Sequence, residues 1–207
     1  MKNYIFALLL FSNLFMYAQK VESYKLTKEQ IKERELEGIS DFPIYKAFEY
    51  QDKGGVYELL FCENQKNISK KDTLNTKIQA ICTLNDHGDF LEKWRINDLL
   101  ESSEPKETTI WFWTKYCSTK DLDGDGYIDP VIVYGTRNEY DEIRRVKIIT
   151  VYKNKKYPIR AVECVLDDCR TFKKDTNWNL LPKKIQVYVN QLVEKLRKEQ
   201  DLILHNG

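Results

Sequence analysis

Asp121-Leu-Asp-Gly-Asp-Gly-Tyr-Ile-Asp-Pro-Val-Ile-Val-Tyr134 is the stretch from which the rest of the chain can be read. Carboxylates stand at positions 1, 3, 5 and 9 of a loop that begins at Asp121, with glycines at 4 and 6 and an apolar residue at 8. A hard cation such as Ca²⁺ takes six to eight oxygen ligands at about 2.3–2.6 Å. Alternate residues of a tight loop point inward together, which lets Asp121, Asp123 and Asp125 reach one centre. Gly126 permits the sharp bend, the Tyr127 carbonyl offers a backbone oxygen, and Asp129 closes the set directly or through water. Without a cation, four such close carboxylates repel one another and raise their own pKa values. Asp and Gly are also common turn formers, so a plain acidic surface turn is the competing reading.

The flanks decide what kind of loop this is. An EF-hand needs a bidentate Glu at loop position 12 and a helix on each side. Position 12 is Ile132, which cannot ligate and is expected to face the core. Thr108–Tyr116 before the loop and Val131–Tyr134 after it are rich in β-branched and aromatic residues, which favour strands. A strand–loop–strand site follows. In this respect the segment resembles one calcium loop of the FG-GAP propeller repeats. A propeller needs typically four to eight blades, and the chain carries one copy.

Moving outward, Thr27–Glu37 opens on a cap residue and closes at Gly38, which predicts a short N-terminal helix. Tyr45–Tyr50 and Val56–Phe61 read as strands around Asp52-Lys-Gly-Gly55. Glu63–Thr76 is polar and Lys/Asn-rich, and reads as a mobile loop. Lys77–Leu84 pairs with Phe90–Asn97, and Val146–Tyr152 with Tyr157–Val162. In Leu181–Leu196 an apolar stripe of Ile185, Tyr188, Val189, Leu192, Val193 and Leu196 recurs at helical spacing, a face to be packed on a sheet. The expected fold is α+β: an antiparallel β-meander sheet with a C-terminal amphipathic helix packed on it and a short N-terminal helix.

Met1–Ala18 reads as a secretory signal peptide, with Lys2 at its start, an apolar Tyr4–Tyr17 and a small Ala18 before Gln19. Residues 19–207 then form one domain, placed in the periplasm or outside the cell, with no transmembrane span after cleavage. Lys and Arg number 33 against 32 Asp and Glu, a balance that argues against a nucleic-acid binder. The five cysteines leave at least one thiol unpaired within the chain. Cys164 and Cys169 are close enough to bridge a short loop, the alternative being two separate buried thiols. Cys62 and Cys82 end two runs that can be neighbours.

From Gly55 to Leu196 the chain resembles small exported Gram-negative bacterial proteins labelled as a surface polysaccharide biosynthesis family. The likeness is carried by Lys93-Trp-Arg-Ile-Asn-Asp98, Ile110-Trp-Phe-Trp-Thr-Lys-Tyr116, Asp121–Gly126 running into Asp129–Tyr134, Val146–Ile149, Lys155–Arg160 and Leu181–Ile185. It implies a role in envelope polysaccharide and supplies no catalytic residues. Only the calcium loop transfers, residue by residue.

Catalytic signals are sparse. The two histidines, His87 and His205, sit in a turn and in the tail, and no nucleophile elbow, P-loop or H-E-x-x-H occurs. Trp111 and Trp113 share one face of a strand. If exposed, that face is a glycan platform near the loop, with Arg137 and Tyr140 alongside; if buried, it is core. The reading is therefore an exported, non-catalytic protein with a structural Ca²⁺ and an envelope glycan or envelope protein as partner. A glycan-acting enzyme using an unidentified carboxylate pair and a partner-binding or inhibitory module are the alternatives.

Overall fold

The computed structural model describes residues 21–67, 73–102 and 104–205. The expected signal peptide lies outside these residues, as does part of the polar Glu63–Thr76 segment. In chain order the elements begin with β1 (Glu22–Lys25) and α1 (Lys28–Glu33). Then come β2 (Ile44–Asp52), β3 (Gly55–Glu63), a short ribbon of β4 (Lys66–Asn67) and β5 (Thr73–Leu74), β6 (Lys77–Asp86) and β7 (Asp89–Leu99). The second half holds β8 (Glu107–Phe112), β9 (Ser118–Lys120), β10 (Asp129–Asn138), β11 (Ile143–Tyr152), β12 (Lys155–Val162), β13 (Thr171–Lys174) and α2 (Lys183–Gln200).

The α+β class holds, but the single meander does not. β1-β2-β3-β6-β7 make one antiparallel sheet, and β13-β12-β11-β10-β8 make another, with β9 also on β10. The chain changes sheet between β7 and β8, and β8 then pairs with β10. The reason is visible in strands that are apolar on both faces. Leu59 and Phe61 point into the space between the sheets, while Leu60 and Cys62 point away from it. Likewise Ile132 and Tyr134 face the other sheet, and Val131 and Val133 face α2. Such strands need cover on both sides, so the molecule stacks four layers: α1 and its following turn, sheet one, sheet two, α2.

Each helix forms for local reasons and is held by its layer. Thr27 and Gln30 complete a reciprocal cap, the Gln30 amide donating to Thr27 Oγ1 at 3.2 Å and the Thr27 amide to Gln30 Oε1 at 2.9 Å. The helix does not run on to Glu37. Glu35 takes a left-handed φ of 55°, and a 3-10 turn over Leu36–Ile39 then buries Leu36 completely. On α2, Ile185, Val189, Leu192, Val193 and Leu196 are buried against sheet two, with Tyr188 half-buried at the edge of the stripe.

Candidate metal centre

The acidic loop, Asp121–Ile128, connects the two strands of a hairpin. β9 pairs with the first residues of β10, Asp129↔Lys120 through Val131↔Ser118, while β8 pairs with the far half of the same strand. Thr108–Tyr116 is therefore not one strand. It ends at Phe112, turns through Trp113–Tyr116, with the Tyr116 amide on the Trp113 carbonyl at 2.8 Å, and re-enters the sheet as β9.

Within the loop the carboxylates organise the backbone. Asp121 accepts from the amides of Gly124 at 2.7 Å and Gly126 at 2.9 Å, Asp123 from Asp125 at 3.0 Å, and Asp125 from Tyr127 at 2.9 Å. Gly124 and Gly126 adopt φ of 87° and 91°, where a side chain would be strained. Asp121, Asp123 and Asp129 each offer an oxygen, all within 4.8 Å of one another, a group that could hold a metal ion. Asp125 lies outside that set. Burial pushes the Asp129 carboxyl up to about 7, with the charges of Asp123, Asp125 and Asp121 adding and the Leu122 amide opposing. A cation at this point would reverse that preference. The donor set, hard oxygens on short rigid stems, fits a hard cation.

Three residues that the sequence reading did not assign complete the site. Asp52, buried at the β2–β3 turn, accepts from Gly54 at 2.7 Å and reaches across to the Ile128 amide at 2.9 Å. Lys53 donates to the Asp125 carbonyl and Lys184, from the first turn of α2, to the Asp123 carbonyl. The Lys53 amide also meets the Gly126 carbonyl at 3.1 Å. Apolar anchors hold the loop from both sides: Ile128 enters the core between the sheets, and Leu122 packs on the core under α2. The loop is thus a junction of sheet one, sheet two and α2. A weak signal for Asp52 existed in Asp52-Lys-Gly-Gly55, a turn whose acid has a local partner; nothing local indicated the distant one.

The remaining candidates fall out as follows. Trp113 is buried in the core under α2, and Trp111 is half-buried with the Arg137 guanidinium 5.1 Å from its ring centre. This corrects the glycan platform: the shared face is the one α2 covers. Tyr140 is exposed. Cys164 and Cys169 form a disulfide with Cα atoms 5.8 Å apart. Cys62 and Cys82 are free because they lie on opposite faces of sheet one, Cys62 toward α1 and Cys82 toward sheet two. His87 is exposed in the β6–β7 turn and contacts Asp86. Asp98, at the end of β7, pairs with Lys147 at 2.6 Å and lies 3.6 Å from the buried Arg145 guanidinium. Among the described residues, no helix is long and apolar enough to cross a membrane. Comparison with family models, curated proteins and solved structures finds no match to this chain.

Proposed function

We propose that this is an exported, non-catalytic calcium-binding protein of the periplasm or cell exterior, in which Ca²⁺ locks the junction of two sheets and a helix. The observation that carries the reading is the convergence of Asp121, Asp123 and Asp129 in a loop fastened to sheet one through Asp52. The Tyr127 carbonyl and the Asp125 carboxylate are the next oxygens along the loop, the latter directly or through water. Calcium rather than magnesium is favoured because the ligand-bearing loop is irregular, whereas Mg²⁺ insists on a near-ideal octahedron at about 2.0–2.1 Å. The segment Met1–Ala18 supports export, and the resemblance to surface polysaccharide proteins supports service in envelope glycan biology with a glycan or an envelope protein as partner.

A ligand that binds only the folded state stabilises it by mass action. At 100 times its dissociation constant, Ca²⁺ should raise the melting temperature by roughly 5–10 °C over EDTA-treated protein. Asp121→Ala with Asp123→Ala should remove the difference. Equal melting of the wild type in calcium and in EDTA would sink the proposal.

A further inference from the structure

The loop shares a wall with a cavity of about 430 Å³ that lies between the sheets at the same end of the sandwich. Its floor is aromatic. Tyr50 and Tyr57 stack at 4.9 Å with 15° between their planes, and buried Trp94 lines the cavity with them. Tyr127, from the acidic loop, and Tyr152, at the end of β11, also line it, and each carries a lysine against its ring. Lys53 lies 5.9 Å from the Tyr127 ring centre and Lys153 5.1 Å from that of Tyr152. Asp125 supplies a half-buried carboxylate to the same wall; Asp52 and Asp129 also line it, but both are buried and accept from the Gly54, Ile128 and Leu122 amides.

This lining selects by chemistry. A wholly apolar guest would strip water from the Asp125 carboxylate and the Lys153 ammonium and give them no partner, a costly exchange. An ammonium guest would meet the Lys53 and Lys153 charges on its way in, and a polyanion would be repelled by the acids. A neutral ring with an apolar face and several hydroxyls suits this lining: the face stacks on an aromatic ring, and hydroxyls donate to the Asp125 carboxylate and accept from the Lys153 ammonium. The volume lies within the roughly 300–1,000 Å³ of small-molecule sites. We propose that the cavity binds a neutral, hydroxyl-rich ring of the pyranose type, with Asp125 as its carboxylate partner. The proposal rests on the glycan half of the function proposed above and not on its calcium half.

Glucose, galactose, N-acetylglucosamine and choline are titrated into the full chain, in calcium and in EDTA, by calorimetry and saturation-transfer NMR. Tyr127→Ala is run beside the wild type; the residue is 46% exposed, so the variant should melt with the wild type. At least one sugar is expected to bind, and Tyr127→Ala to weaken it by about tenfold. Absence of binding by all three sugars in both buffers, binding of choline alone, or unchanged affinity in a normally melting Tyr127→Ala would overturn the proposal. The calcium-dependent melting shift, read on the same samples without sugar, reports on the metal separately, so either half can fail alone.

Discussion

Ile132 occupies the loop position where an EF-hand would place its glutamate, and it has no exposed surface between the two sheets. Ile132→Glu should therefore bury an unpaired carboxylate, cost about 3–5 kcal/mol in urea unfolding and weaken calcium binding. Tighter binding at an unchanged melting temperature would instead mean that the position can ligate. Glu58, on the α1 side of β3, makes a different point. It is buried, and burial pushes its carboxyl up to about 7 against the Thr83 hydroxyl, 3.3 Å away, and the Arg34 charge, while Glu49 adds to the rise. Between the ordinary value of 4.5 and about 7 the folded state keeps this proton and the unfolded chain has lost it. Its contribution is thus full at low pH and declines as pH rises through that window. Glu58→Gln should flatten that decline and stabilise the protein at pH 8 by on the order of 2 kcal/mol. Chemical denaturation of both proteins at pH 5 and pH 8 is the check; parallel pH dependence would assign the slope to other groups.

At the scale of elements, α2 is a local design that the sheet exploits. Its stripe was legible because helical spacing puts Ile185, Val189, Leu192, Val193 and Leu196 on one side, whatever covers them. Leu196 is completely buried, so Leu196→Ala should cost about 2–5 kcal/mol of unfolding free energy. A loss below 1 kcal/mol would mean that the helix is only loosely docked. The hairpins were legible for the same kind of reason. At the β11–β12 turn, Lys153 and Asn154 both take positive φ, 49° and 61°, the geometry of the tight two-residue connection that matches strand twist. Where two patterns compete, local reading falters. The Thr27–Glu37 periodicity continues past Arg34, but the chain abandons the helix because a turn there lets Leu36 reach sheet one.

Across the whole molecule, two devices hold the sheets together at opposite ends of β10. The acidic loop and Asp52 work near Asp129. At the other end Arg145 is buried in a fork with Glu107, Nε to Oε1 at 2.5 Å and Nη2 to Oε2 at 2.8 Å, and it also reaches Glu101 and the Leu99 carbonyl. Lys147 holds Asp98 at 2.6 Å, and Thr136 donates to Glu107 at 2.7 Å. Burial alone would raise Glu107, but Arg145, the Glu101 amide and Thr136 outweigh it and keep the carboxyl below its ordinary range. Removing one partner of such a pair leaves the other charge buried and alone. Arg145→Met should thus cost about 3–5 kcal/mol, and adding Glu107→Leu should recover much of that loss. Additive losses in the double variant would show that the fork is not the stabilising unit.

The chain by itself determined what short-range spacing can encode. Aspartates at alternate positions with glycines between them make an oxygen-rich turn wherever they fold. Period-two and period-3.6 patterns say which residues share a face, and the Cys164–Cys169 interval permits a bridge. Tertiary structure decided what lies opposite each face. It split one expected meander into two sheets, because strands such as Leu59–Cys62 and Val131–Tyr134 are apolar on both sides and each side had to be covered. It grouped Asp129 rather than Asp125 with Asp121 and Asp123, and it brought Asp52, Lys53 and Lys184 to the loop. Those partners are separated from their contacts in it by 61 to 76 residues. Contacts at that range arise from burying apolar area against whichever surface is complementary, a choice made by the packed molecule and not by any local run of residues.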